Sequence, residues 1–458
     1  MMNRVIRRST ILIILVVALT GGTLFFVGEY LFRADDWVIS EGSPHIYTEY
    51  SSVCGTVTDR NGVMLMDTAD GKIYNPDALI RSSVIHWLGD REGNIYAPTI
   101  SHYAQLLTDH SLINGLYVYG NDGGTVKLTL SAEIQKAALE AMGDYKGSLA
   151  VYNYKTGEIL CAVTTPTFDP DDLPDIAGDT EGIWEGAYIN RFLRSTYIPG
   201  SIFKIVTTAA ALETIEDIQE QTFYCEGEME YGIDKVTCTG KHGKIKLKEA
   251  FLNSCNCAYA QIAAQLGGET LQRYAEAMGI TGRLTFDGVT TAAGSIVAAG
   301  EAPVMVAWSA IGQHKDQINL CQFMTMVGAI AAGGSGVEPY IVSSIDGGGW
   351  GSYAVAPVAT ERIISTETAE ILCSFMRNNV ENFYGDEHFS GLTVCAKSGT
   401  AEVGGELEPN AMFAGFVSDE EYPLAFVMVA ENAGSGRRTC VPILSKVLAV
   451  CKEVLDEE

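Results

Sequence analysis

The chain has 458 residues, 47% of them hydrophobic, so it is too long for one ordinary domain and can build a sizeable core. It contains 30 basic and 57 acidic residues, which gives a formal net charge of -27. That charge disfavours sequence-independent binding to nucleic acid or to an anionic membrane surface, so we expect no nucleic-acid partner.

An uncharged apolar run lies close to the N-terminus. Arg4, Arg7 and Arg8 precede it, and residues 9–28 carry no charge. A helix of about 20 such residues spans a bilayer core of about 30 Å, whereas the apolar part of a cleaved signal has about 7–15 residues. The run predicts an uncleaved transmembrane anchor; the alternative is a long signal peptide cut within residues 18–22. Because arginines favour the cytoplasmic side, we expect a single-pass membrane protein with a cytoplasmic N-terminus and an extracytoplasmic body.

After the anchor, alternating apolar residues and turn signals predict a small first domain followed by a larger mixed body. Residues 55–66 predict a hairpin around an Asp-Arg-Asn-Gly turn. A strand follows Gly124, and Ser131 is a candidate N-cap for the helix AEIQKAALEAM. The body is predicted from a second hairpin at 147–165, apolar helices at 201–214 and 319–333, and strands at 393–401, 411–417 and 423–431.

The eleven cysteines cannot all pair within one chain, because their number is odd. Cys225 and Cys238 flank a polar stretch that contains glycine, and they are the one local pair that the sequence suggests. The chain has no CxxC, HExxH or comparable ligand spacing. We therefore expect no metal site and no cofactor.

The segment YIPGSIFKIVTTAAAL places a lysine on a helix that is otherwise mostly apolar. A Pro-Gly turn brings Ser201 to the start of this helix, and Lys204 follows one turn later. A buried lysine must be paired or lose its proton, and a neutral amine beside a hydroxyl can activate that hydroxyl as a nucleophile. The alternative is a lysine that extends to the surface. Ser201 is the only serine with a lysine three positions on.

Two further short motifs follow in the chain. Ser254-Cys255-Asn256 interrupts a helical pattern with polar residues, which on its own is more typical of a helix entry. The strand VCAKSGTAE carries Lys397, Ser398, Gly399 and Thr400, and its glycine allows another backbone to approach. A substrate could add to that edge as an extra strand.

A second K-T-G triplet occurs at residues 155–157. It lies between two apolar strands and precedes the serine, so we interpret it as a hairpin turn.

S-x-x-K, S-x-N and K-[ST]-G in this order resemble the three motifs of penicillin-binding proteins and serine β-lactamases. The longer segments TPTFDP, NRFLRSTYIPGSIFK and KSGTAE are similar to class B penicillin-binding proteins. The resemblance implies an α+β penicillin-binding-protein/β-lactamase-like fold with helices packed on an antiparallel sheet. With the cytoplasmic tail and anchor already predicted at 1–33, it implies a short pedestal domain at 34–130 and a transpeptidase domain at 131–458. Ser398 replaces the family's commoner threonine, and cysteines unusually flank Asn256.

Roles follow from the resemblance. Ser201 is expected to attack the carbonyl of the penultimate D-alanine, with Lys204 as general base and Ser254 as proton relay. The expected substrate-binding residues are Asn256, which binds the peptide backbone, and Lys397, Ser398, Gly399 and Thr400, which hold the terminal carboxylate or line the strand. The backbone N–H groups of Ser201 and Thr400 are expected to form the oxyanion hole.

The implied activity is that of a D,D-transpeptidase that cross-links peptidoglycan stem peptides ending in D-Ala-D-Ala and is acylated by β-lactams. A membrane glycan polymerase is the implied protein partner. Alternatives that share the motifs are a D,D-carboxypeptidase, a serine β-lactamase and a β-lactam sensor. A non-catalytic scaffold for wall synthesis is a fourth alternative, of a different class.

Overall fold

The computed structural model describes residues 2–38, 55–68, 72–97, 102–103, 110–111, 116–117, 124–346, 352–389, 391–405 and 407–457. Within these ranges the chain has an α+β fold, with helices packed on antiparallel strands, as the sequence predicted. Parts of the predicted pedestal domain, at 39–54, 69–71, 98–101, 104–109, 112–115 and 118–123, lie outside the described residues. The predicted division at residue 130 stays a prediction.

The first helix, α1 (Met2–Val38), contains one stretch that could span a membrane. This stretch, Ile6–Tyr30, contains an 18-residue window with a mean hydropathy of 2.6, and no part of that window is buried against other parts of the chain. Its length of 25 residues is enough to cross a bilayer core of about 30 Å. It includes the uncharged run at 9–28, so helix formation there agrees with the predicted anchor.

The strands in chain order are β1 (Gly55–Thr58), β2 (Met64–Asp67), β3 (Ile73–Tyr74), β4 (His110–Ser111), β5 (Leu116–Tyr117), β6 (Gly124–Leu128), β7 (Gly147–Asn153), β8 (Ile159–Thr165), β9 (Thr196–Tyr197), β10 (Phe223–Cys225), β11 (Glu228–Tyr231), β12 (Asp234–Thr237), β13 (Gly243–Ile245), β14 (Thr285–Phe286), β15 (Val289–Thr290), β16 (Ile318–Asn319), β17 (Val342–Asp346), β18 (Ser352–Ala354), β19 (Val394–Ala401), β20 (Asn410–Val417) and β21 (Leu424–Ala430). The remaining helices are α2 (Ala78–Leu88), α3 (Ala132–Met142), α4 (Arg191–Arg194), α5 (Lys204–Thr214), α6 (Leu247–Leu252), α7 (Asn256–Ala277), α8 (Pro303–Ala310), α9 (Leu320–Ala331), α10 (Thr366–Asn379) and α11 (Gly436–Glu457).

One six-stranded sheet has the order β18-β17-β6-β1-β2-β3. Its β1–β2 hairpin forms around the Asp-Arg-Asn-Gly turn, as predicted. Asp59 is buried there and accepts the backbone N–H groups of Asn61 and Val63 at 2.8 Å and of Ala132 at 3.0 Å. One carboxylate therefore closes the turn and also binds the N-terminus of α3. Strands β17 and β18 come from much later in the chain, so this sheet joins distant segments.

The five-stranded antiparallel sheet has the order β19-β20-β21-β7-β8 and leaves β19 at one edge. Successive residues of a strand face opposite sides of a sheet, and both sides are buried here. Leu149 and Val151 of β7 pack with α3 and α11, whereas Ala150 and Tyr152 pack with α9 on the other face. Burial on both faces explains the continuous apolar runs in the sequence. The predicted hairpin turn at 155–157 joins β7 to β8.

Ser131 caps α3, as predicted, because its hydroxyl accepts the backbone N–H of Ile134 at 3.4 Å. The Ser201 turn differs in one detail from the prediction. A 3-10 turn, Gly200–Phe203, carries the serine, and the α-helix begins only at Lys204. The tighter turn lies against strand β19.

Substituting Gly415 by alanine tests the close packing beside β19. A Cβ there would lie 2.3 Å from the carbonyl oxygen of Cys395 and 2.8 Å from the Cβ of Ala396, both on β19. We expect Gly415→Ala to lower the free energy of unfolding by about 2 kcal/mol or more, since neither neighbour can move freely. Denaturant unfolding of the detergent-solubilised chain measures this. Gly282→Ala is the control, because its Cβ would meet nothing closer than 3.5 Å; equal effects would contradict the packing argument.

Candidate active site

The turn that carries Ser201 approaches strand β19 more closely than a side chain at Gly200 would allow. Gly200 has φ 54°, and an added Cβ would lie 2.7 Å from the carbonyl oxygen of Thr400. A Cβ on Gly399 would lie 2.9 Å from the carbonyl oxygen of Pro199. Glycine at both positions therefore brings Ser201 beside the edge of β19. The backbone expected to approach Gly399 is thus found, and it belongs to this chain.

Lys204 is fully buried, with its Nζ among oxygen atoms. The distances from Nζ are 3.1 Å to Ser201 Oγ, 3.0 Å to Ser254 Oγ, 2.6 Å to the Ser254 carbonyl oxygen and 2.8 Å to Asn256 Oδ1. Burial lowers the pKa of Lys204 to about 7, because charge is costly away from water. Near neutral pH a large fraction of this amine is uncharged and can accept the hydroxyl proton of Ser201.

Ser254 lies between two buried lysines. Its Oγ is 3.0 Å from the Nζ of Lys204 and 3.0 Å from the Nζ of Lys397. Burial, and next the charge of Lys204, lower the pKa of Lys397. Ser254 has φ 50°, a left-handed conformation that non-glycine residues rarely adopt, and its hydroxyl contacts both amines from there. The Ser254 hydroxyl is thus hydrogen-bonded to both lysine amines.

The outer edge of β19 offers backbone groups to the site. Ser398 N–H donates to Tyr384 Oη at 2.7 Å, so it points away from β20. In an antiparallel strand every second N–H points the same way, so the N–H of Thr400 also faces the free edge, towards Ser201. A substrate carbonyl between Ser201 and Thr400 would meet this Thr400 N–H, which is one of the two groups expected to form the oxyanion hole. Tyr384 Oη also donates to Ser398 Oγ at 2.9 Å.

These residues line an open groove with a cavity volume of about 1090 Å³. Six of the eight predicted site residues line it: Ser201, Ser254, Asn256, Lys397, Ser398 and Thr400. Lys204 lies beneath the groove and Gly399 is buried in β19. The structure brings all eight together, and their roles stay predictions.

Several groove residues carried no signal in the sequence. Arg437 and Arg438 line the groove, and the guanidinium of Arg437 lies 4.4 Å from the ring centroid of Phe383. Thr237 also lines the groove, and its carbonyl oxygen accepts a hydrogen bond from Nδ2 of Asn256 at 2.8 Å, which holds the Asn256 side chain in place. The groove therefore concentrates positive charge in an otherwise acidic protein, which favours an anionic substrate.

The suggested disulfide between Cys225 and Cys238 is wrong, because both residues are free thiols. Each sulfur instead contacts Nδ1 of His242, at 3.4 Å from Cys225 and 3.5 Å from Cys238. The sulfurs of Cys238 and Cys255 are 3.9 Å apart, and a hydrogen bond between them lowers the pKa of the Cys238 thiol. These three cysteines and His242 show none of the usual metal-ligand spacings in the sequence, yet they form one cluster beside the groove.

Comparisons with known proteins agree with this geometry. The family described as the penicillin binding protein transpeptidase domain matches residues 147–449. Peptidoglycan D,D-transpeptidase PbpA of Mycolicibacterium smegmatis is 27% identical over 341 residues, which is 68% of each chain. Stage V sporulation protein D of Bacillus subtilis is 30% identical over 364 residues, covering 72% of this chain and 54% of that protein.

Solved structures show the same fold. The D,D-transpeptidase domain of a peptidoglycan glycosyltransferase from Eggerthella lenta has a TM-score of 0.75 at 26% identity, covering 88% of this chain and 98% of that one. Penicillin-binding protein A of M. tuberculosis, solved as a β-lactam acyl-enzyme complex, has a TM-score of 0.72 at 23% identity, with 88% and 98% covered. The family model matches the segment that contains all three motifs, so the resemblance predicted from those motifs is confirmed. This chain belongs to the penicillin-binding protein transpeptidase family.

Proposed function

We propose that this chain is a serine D,D-transpeptidase that cross-links peptidoglycan stem peptides through an acyl-enzyme on Ser201. The observation that carries the proposal is the contact of one hydroxyl, Ser254 Oγ, with both Lys204 and Lys397 at 3.0 Å, beside Ser201. The family membership and the relatives named as peptidoglycan D,D-transpeptidases support it. β-Lactam acylation is part of the proposal, supported by the acyl-enzyme complexes of the structural neighbours.

Acylation begins when neutral Lys204 removes the proton from Ser201 Oγ, 3.1 Å away. The Ser201 oxygen attacks the carbonyl carbon of the penultimate D-alanine and forms a tetrahedral oxyanion. The N–H groups of Ser201 and Thr400 stabilise the negative charge on that oxygen. Ser254 then passes a proton from Lys204 to the leaving amine, and terminal D-alanine departs.

Substrate recognition uses the edge of β19. The terminal carboxylate binds Lys397 together with the hydroxyls of Ser398 and Thr400, as the family resemblance implies. Tyr384 fixes Ser398 through two hydrogen bonds, of 2.7 Å to its nitrogen and 2.9 Å to its hydroxyl. The side-chain amide of Asn256 binds the peptide backbone. These contacts orient the scissile carbonyl before any bond changes.

In the second half-reaction, an amine of a neighbouring stem peptide attacks the acyl-enzyme carbonyl, and Ser201 leaves with the proton returned through Lys204. Among the described residues that line the groove, Glu402 is the sole carboxylate, and it follows the end of β19. In that part of the chain it makes no hydrogen bond with Ser201, Lys204 or Ser254, so we propose no dedicated base for activating water at the Ser201 ester. The geometry therefore favours transfer over rapid hydrolysis.

The N-terminal helix supports a membrane-anchored arrangement, which is also part of the proposal. The protein would have residues 1–33 as cytoplasmic tail and anchor, a pedestal at 34–130 and the catalytic body outside the membrane. A membrane glycan polymerase is the proposed partner, since strands must be polymerised before their stem peptides can be cross-linked.

The first test uses pH, because burial lowers the pKa of Lys204 to about 7. The uncharged amine is the active form, and its fraction falls as the pH drops below that pKa. We expect the second-order rate constant for acylation by penicillin to fall about tenfold per pH unit below about pH 6.5, and to level off above about pH 7.5. Lys204→Ala should reduce the rate by about 10²–10⁴-fold. A flat profile with a folded protein would exclude Lys204 as the base.

The second test separates transfer from hydrolysis. A fluorescent penicillin should label the peptide that contains Ser201, and the adduct should persist for minutes. Ser201→Ala should give no label, whereas Ser195→Ala, which alters a nearby serine outside the groove, should label normally. Nascent glycan with stem peptides should yield cross-linked dimers that disappear in Ser201→Ala.

Each alternative predicts a different result in that experiment. Rapid release of opened penicillin in excess over enzyme would indicate a β-lactamase. Trimmed stem peptides without dimers would indicate a carboxypeptidase. Absence of any label on the folded protein would indicate a non-catalytic scaffold. Labelling without processing of any stem peptide would indicate a sensor.

The third test addresses topology. Because three arginines precede the apolar run, protease added to intact spheroplasts should digest the body and leave an N-terminal epitope tag protected. Detergent lysis should expose the tag, which serves as the control. A protected body in intact spheroplasts would reverse the proposed orientation.

A further inference from the structure

Four metal-ligating side chains converge beside the groove, and the proposed mechanism uses none of them. They are Cys225, Cys238, His242 and Cys255, whose candidate ligand atoms all lie within 4.8 Å of one another. Cys225 ends β10, Cys238 and His242 lie in the loop between β12 and β13, and Cys255 is the N-cap of α7. Three separate parts of the fold therefore meet at this cluster.

Three of the six distances between these ligand atoms match a tetrahedral zinc site, and the other three are no longer than 4.8 Å. Bonds of about 2.3 Å to sulfur and about 2.0–2.1 Å to nitrogen place tetrahedral neighbours about 3.8 Å apart for two sulfurs and about 3.5 Å for sulfur and nitrogen. The sulfurs of Cys238 and Cys255 are 3.9 Å apart. Nδ1 of His242 is 3.4 Å from the sulfur of Cys225 and 3.5 Å from that of Cys238.

We propose that Cys225, Cys238, His242 and Cys255 bind one Zn²⁺ ion in a structural Cys₃His site. Three thiolates and one imidazole are ligands that zinc prefers, in the tetrahedral arrangement it adopts. Four protein ligands complete that coordination, so no position is left open for substrate or water. The ion stabilises the fold and takes no part in the chemistry at Ser201.

A disulfide is a weaker explanation of the cluster. A bond between Cys238 and Cys255 would require their sulfurs to approach from 3.9 Å to about 2.05 Å. A disulfide would use two of the four groups and would not explain why Cys225 and His242 contact each other. Coordination of a metal explains why the imidazole of His242 lies against two sulfurs, and a disulfide does not.

The position of Cys255 gives the site a consequence for the groove. Cys255 lies between Ser254, with its left-handed backbone, and Asn256, which binds Lys204 Nζ at 2.8 Å. Cys238 follows Thr237, whose carbonyl oxygen accepts from Asn256 at 2.8 Å. A metal that joins Cys238 to Cys255 would therefore hold both flanks of the S-x-N segment.

Metal analysis of the intact, detergent-solubilised chain tests the proposal. After dialysis, elemental analysis should find about one zinc per chain, and cobalt substitution should give the visible absorption of a tetrahedral thiolate site. Cys225→Ser and Cys255→Ser should each lower the zinc content to below about 0.2 per chain and lower the thermal midpoint. His242→Cys preserves four donors and should retain zinc, so it separates ligand loss from misfolding.

One cysteine variant serves as the matched control. Cys373→Ser changes a half-buried cysteine outside the cluster. It should keep about one zinc per chain.

Three results would overturn the assignment. One is a folded wild-type chain with less than about 0.2 zinc or with iron or copper instead. Another is a Cys238–Cys255 disulfide found by mass spectrometry without reduction. The last is loss of zinc in Cys373→Ser with retention in Cys225→Ser.

Discussion

Two lysines that are cut off from water share a single serine hydroxyl, and the geometry around the groove follows from that burial. Lys204 and Lys397 are 0% and 1% exposed, and in the part of the chain that the structure describes neither has a carboxylate among its hydrogen-bond partners. Two ammonium ions so placed would repel each other across Ser254, and neutral oxygens compensate only part of the cost. Loss of a proton relieves this cost. Burial thus favours the neutral amine of Lys204, and a neutral amine can act as a base.

This constraint explains why three remote segments must be positioned so closely. The 3-10 turn places Ser201 beside Lys204, the N-terminus of α7 brings Ser254, and β19 brings Lys397. Displacing any one of them would leave a buried amine short of an acceptor, at a cost of about 1–3 kcal/mol. This arrangement requires the close backbone contacts at Gly200 and Gly399, which leave no room for a side chain at either position.

The sequence predicted much of this fold because its signals are local. The hairpin around the Asp-Arg-Asn-Gly turn, the Ser131 cap and the strand that carries Lys397 all depend on neighbouring residues. The eight candidate site residues were found because three short motifs occur in a fixed order. That they lie in or directly beside one groove was expected from the resemblance alone, since no local pattern relates Ser201 in space to Thr400, far later in the chain.

The features that the sequence did not predict depend on tertiary contacts. Tyr384 reaches Ser398 from a short π-helical turn whose composition gives no sign of it. The cysteine–histidine cluster was missed because the known metal-ligand signatures are closely spaced pairs, and these four residues come from three separate parts of the fold. The suggested pairing of Cys225 with Cys238 recognised that the two lie close together but assigned them the wrong chemistry.

The six-stranded sheet has a practical consequence for anyone who divides this protein. Strand β17 pairs on one side with β6, which belongs to the N-terminal region, and on the other with β18. A fragment that begins at residue 131 would therefore keep β17 and lose its inner neighbour. The bare strand, with Val342 and Ile345 buried in the intact chain, would present unpaired amides and apolar side chains to other molecules. Soluble fragments should be cut between the anchor and β1, because an enzyme trimmed to its family-matching segment would have a surface prone to self-association.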